Sequence, residues 1–178
     1  MDKKEAIKIL DEWVFSFNLK KHLYSVAYIL EAYAEKLEEN KDKWFITGLL
    51  HDLDYEKYPE LHPEKAVEFL KDKVDSEVIS AIKKHAYPEE KRETLLEKYL
   101  VAVDELSGFL IAISLVMPGK SFKEIKYTTF KKKWKDKAFA RGVDRKLVEK
   151  FLKEANLDME EHVNFMIKVL SEKEENFK

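Results

Sequence analysis

Three observations predict an all-α fold for this 178-residue chain. Apolar residues recur at helical spacing in nearly every segment. No stretch alternates long enough to be a strand. Gly and Pro number only four each, too few for the many turns of an all-β fold.

The elements follow in order. Ala6, Leu10, Trp13, Val14 and Phe17 form one apolar stripe, and Leu19, Leu23, Val26, Ala27, Leu30, Ala34 and Leu37 form a second. A third helix, carrying Trp44, Phe45, Gly48 and Leu49, ends near Asp52. The stretch 53–61, with Pro59, reads as a loop. Pro63 suits the first position of a fourth helix with His62 at its cap. Val78, Ile79 and Ile82 mark a fifth, beginning near Asp75. Thr94 and Glu97 form a capping-box pair that opens a long apolar helix to about Met117. Pro118-Gly119 stops it, Ser121 with Glu124 opens another, Asp144 caps the next, and Asp158 with Glu161 opens the last. No internal repeat and no linker divides the chain, which predicts a single helical domain.

Composition narrows the function. Hydrophobic residues make up 45% and charged residues 38%, as in a globular chain with a densely charged surface. There is no cysteine, so disulfides, Cys zinc sites, iron–sulfur clusters and thiol nucleophiles are excluded. The N-terminal residues lack the apolar core of a signal peptide. The longest uncharged apolar run, 106–118, falls short of the roughly 20 residues of a membrane span. The expectation is a cytoplasmic protein with no membrane partner. Net charge is −2, yet Lys120–Lys146 holds eleven Lys/Arg against Glu124, Asp136 and Asp144, a local +8. Such a segment either meets something anionic or is a solvated lysine face.

The histidines matter by placement. His22 is in register with Leu19, Val26 and Leu30 on the buried stripe of the second helix. His51 and Asp52 stand where the third helix ends, and His85 shares a face with Val78 and Ile82. Asp104 interrupts the most apolar helix, where no Lys or Arg lies between Tyr99 and Gly119 to balance it. A carboxylate in such surroundings costs several kcal/mol unless paired. A divalent cation would balance it and would use His22, His51 and Asp52 as further ligands. His162, beside Val163 and Met166, reads as a packing residue.

The order His22, His51-Asp52, Asp104 resembles the signature of the HD-domain superfamily of metal-dependent phosphohydrolases. Gly48-Leu-Leu-His-Asp-Leu-Asp-Tyr-Glu-Lys57, His62-Pro63, His85, Asp104-Glu-Leu-Ser-Gly108 and Phe139 to Arg145 are similar to the small bacterial HDIG-type predicted hydrolases. The resemblance implies a helical bundle with an HD core over about 18–118 and a basic helical extension over about 119–178. It implies one or two divalent ions (Mn, Fe, Mg, Co, Ni or Zn), with His62 and His85 holding a second ion and Asp52 bridging. It implies hydrolysis of a small phosphate ester, a nucleotide or related phosphate, by metal-activated water. Asp52, Asp54 and Lys57 are the catalytic candidates. Asp54 would orient water or a ligand unless it is a solvated loop carboxylate. Lys57 and Arg141 would bind the phosphate. Two alternatives stand beside it: a di-iron oxygenase built on the same ligands, and a metal-stabilised module contacting RNA or a protein through the basic segment. No nucleic-acid recognition motif is present.

Overall fold

The computed structural model describes residues 1–177. Among the described residues there are nine α-helices, three short 3-10 turns and no strand, so the chain is all-α. The described residues group into two compact units, Met1–Leu100 and Val101 onward.

The first unit contains α1 (Lys3–Trp13), α2 (Phe17–Lys36), α3 (Lys41–Leu50), α4 (Glu64–Leu70), α5 (Ser76–His85) and the start of α6 (Leu95–Val116). Asp2 and Glu5 close a capping box on α1. Ser16, Asn40 and Asp75 accept the amides of Leu19, Lys43 and Val78 at the starts of α2, α3 and α5. Such caps contribute about 1 kcal/mol each. The helix α3 lies at the centre: Trp44 through Leu50 are all buried, and it packs on α1, α2 and α5. Gly48 permits this. A Cβ there would stand 2.7 Å from the Cα and amide nitrogen of Ala27, so α2 and α3 touch backbone to backbone. Any side chain at 48 must push them apart.

The expected capping box at α6 forms in both directions. Thr94 Oγ1 accepts the Glu97 amide at 3.2 Å, and Glu97 accepts the Thr94 amide at 3.3 Å. Glu97 is buried and also accepts from Ser80 and Lys84 of α5. Burial pushes its pKa up, but bonds from Ser80, the Glu93 amide, Lys84 and the Thr94 amide outweigh it and hold the carboxyl below its ordinary value. By length and composition α6 could cross a membrane, but 61% of its most apolar window is buried in the fold, as in a core helix.

The second unit holds the rest of α6, then α7 (Tyr127–Lys135), α8 (Arg145–Glu154) and α9 (Met159–Glu172). Phe109, Phe130, Trp134 and Phe139 form an aromatic cluster, and the Arg145 guanidinium lies 5.3 Å from both the Phe109 and Trp134 rings. The same guanidinium donates to the carbonyls of Trp134, Asp136, Phe139, Ala140 and Val143. Arg145 therefore holds the whole loop between α7 and α8.

Three local expectations change. The first stripe does not reach Phe17: Ser16 caps α2, so Phe17 sits in the first turn of α2 and is 62% exposed. Ser121 opens only the 3-10 turn Phe122–Glu124, because Glu124 turns back to accept the Gly119 amide, and α7 starts at Tyr127. His62 does not cap α4, which has no side-chain cap. Its ring is used elsewhere.

Candidate metal centre

Four histidines and one aspartate gather in the first unit. His22 lies in the second turn of α2, His51 is the C-cap of α3, Asp52 follows it, His62 precedes α4, and His85 ends α5. The His51 ring is 5.3 Å from that of His22 and 5.0 Å from that of His85, and the His62 and His85 rings are 5.1 Å apart. The close approach of α2 and α3 at Gly48 brings His22 beside His51. His51, Asp52 and His85 each offer a ligand atom, all within 4.8 Å of one another.

The hydrogen bonds define the state of the rings. His51 Nδ1 lies 2.8 Å from the Gly48 carbonyl, and His85 Nδ1 meets the Ile82 carbonyl. A carbonyl only accepts, so Nδ1 carries the proton in both rings. His62 Nδ1 lies 2.7 Å from Asp54 Oδ1 and donates to it. Where such a ring is neutral, Nε2 carries the lone pair. All three Nε2 atoms face the same carboxylate: His85 at 3.0 Å and His62 at 3.3 Å from Asp52 Oδ1, and His51 at 3.6 Å from Oδ2.

Three lone pairs aimed at a carboxylate repel unless positive charge lies among them. Three imidazolium rings around one Asp52 would repel one another at these separations. A divalent cation resolves both problems, and an Nδ1–H anchored on a carbonyl or carboxylate is the usual outer support of a metal-binding imidazole. The donor set fits a metal.

Asp54 is fully buried and not a solvated loop carboxylate. Its Oδ1 accepts from His62, and its Oδ2 accepts the Ala66 amide at 2.9 Å. It therefore orients a ligand candidate and does not meet water. Lys57 is exposed, donates to the Glu12 carbonyl at the end of α1 at 3.0 Å, and lies over the Trp13 and Phe15 rings. Its contacts are with α1 and the turn after it, and none is with the histidine cluster. Asp104 is half-buried on α6, and Arg141 is exposed in the loop after α7; both belong to the second unit.

Two supporting residues escape the sequence reading. Arg92 is buried and donates to the carbonyls of Lys84, Tyr87 and Pro88, which shapes the turn leaving His85. Glu97 bonds Lys84, the neighbour of His85. Only the rarity of arginine and the capping box signalled them, and neither signal points to a site.

A family model of the HD domain matches residues 19–108, half of the chain, spanning His22 through Asp104. No curated protein and no solved structure matches.

Proposed function

The chain belongs to the HD domain family, and from that premise we propose that it hydrolyses a small phosphate ester, a nucleotide or related phosphate. The observation that carries the reading is the convergence of three Nε2 atoms on Asp52, each ring anchored through Nδ1. In this reading Asp52 divides its oxygens between two positions. Oδ2 faces His51, with His22 beside it, and Oδ1 faces His62 and His85. With that division Asp52, His51, His62 and His85 are the residues that would hold one or two divalent ions. The family signature assigns Asp104 to the ligand set as well.

A bound divalent ion would supply water activation near neutral pH and polarisation of a phosphoryl oxygen. The residues do the rest. His51 and His85 hold their rings on the ends of α3 and α5, and Asp54 holds His62 in the tautomer that offers Nε2.

Elemental analysis of the purified protein, then a phosphate-release screen across nucleotides with Mn, Mg, Co and Ni, tests this. The expected result is bound divalent metal and metal-dependent release of phosphate. Asp104→Ala should lose metal and activity while circular dichroism stays helical, and full metal retention would remove Asp104 from the set. Two anomalous peaks about 3.5–4 Å apart are expected for two ions. Bound iron with oxygen consumption and no phosphate release would replace this reading by the oxygenase.

A further inference from the structure

The basic segment packs eleven Lys/Arg into 27 residues, whereas in the first unit the exposed lysines without an ion pair, such as Lys4, Lys8 and Lys71, are scattered and others are paired. There, Lys3, Lys20, Lys41, Lys43, Lys65 and Lys84 each meet a carboxylate within 4.0 Å. In the second unit Lys126, Lys131, Lys132, Lys135, Lys137 and Arg141 are exposed, and none forms an ion pair among the described residues. The segment's three acids spend hydrogen bonds on the backbone: Glu124 on Gly119, Asp136 on Ala138 and Asp144 on Leu147. Arg145 is bound inward. The outward field is thus a row of uncompensated cations along α7, about 13 Å long, continued into its following loop.

We propose that this surface docks the phosphate backbone of a nucleic-acid duplex. Three features select that partner. Within Lys120–Lys146 no large apolar side chain is exposed among the described residues, so the row itself offers a protein partner no anchor and a membrane no wedge. The rings of α7 are committed to each other: Tyr127 stacks on Phe130, and Phe130 on Trp134. Single strands bind largely by base stacking, which needs exposed rings. What remains is spaced positive charge, which suits the dense, regular phosphates of a duplex and reads no sequence.

The test uses the full chain and a 20-base-pair DNA duplex of random sequence, titrated by fluorescence anisotropy from 50 to 200 mM salt. With about five phosphate contacts the affinity should fall about 500-fold over that range. Replacing Lys131, Lys132 and Lys135 with Gln should reduce the fall to about tenfold and weaken binding at low salt. The same charge change made elsewhere, at Lys4, Lys8 and Lys71, controls for net charge and should leave the slope nearly unchanged. No binding at 50 mM salt overturns the proposal, as does an equal loss in both triple variants. Tighter binding of the single strand, of polyglutamate or of phosphatidylserine vesicles also overturns it. None of these readouts depends on the metal or on phosphate release.

Discussion

His51 of the first unit and His162 of the second are both buried and are opposite in use. His51, His62 and His85 anchor Nδ1 and turn Nε2 toward Asp52. His162, on α9, spends Nε2 on the Ala102 carbonyl at 2.8 Å. Burial pushes its pKa down to about 4, with the Ala102 bond opposing the shift only in part. A buried histidine is therefore marked as a ligand by which nitrogen is bonded and what the other one faces. Burial alone does not distinguish the two.

The strongest way to break this comparison is to exchange the outcomes. Asp52→Ala and His85→Ala should reduce metal content and phosphate release, Asp52→Ala to background. His162→Leu should keep its metal and lose stability instead, by about 1–3 kcal/mol from the orphaned carbonyl. Metal loss in His162→Leu with full retention in Asp52→Ala would invert the assignment.

A pH series sharpens it. The folded state resists protonating His162, whereas the unfolded chain titrates near 6.5. Stability from this residue is complete above pH 6.5 and falls as pH drops toward 4, by up to about 3 kcal/mol. Denaturant unfolding of wild type and His162→Leu should show this slope in the wild type and a reduced one in the variant.

Asp54→Asn tests the support of His62. Loss of an outer carboxylate partner typically costs 10–100-fold in metal affinity or activity, and that loss is expected here in metal titration. The smallest effect belongs to Lys57→Ala. Its ammonium caps the end of α1, so the variant should lose about 1 kcal/mol or less, about 2–4 °C in Tm, with metal content unchanged.

Much of this was legible in the sequence because it is local. Helical periodicity and the Thr94/Glu97, Asp144 and Asp158 caps involve residues within four positions of one another. His22 and His85 were found because a polar residue on an apolar face is conspicuous, whereas His51 and His62 stood out only by their match to the family's motif. The burial of Asp54, which decides between orienting a ligand and standing in solvent, was not legible, since it depends on where His62 and Ala66 fold back, eight and twelve residues on. Nor was Lys57, whose partner lies 45 residues earlier in the chain. Ser121 misled because the same cap pattern serves a single turn as well as a helix.

Both helices that deliver His51 and His85 end at the cluster, each folding its terminal ring back on the carbonyl three residues before. The negative ends of two backbone macrodipoles therefore lie against Asp52, a bias worth about 0.3–1 kcal/mol per helix and more where burial limits screening. Peptide groups, which no side-chain substitution removes, thus make the site repel anions. Inorganic phosphate should consequently have no affinity for the metal-stripped centre and acquire it only when a dication is restored.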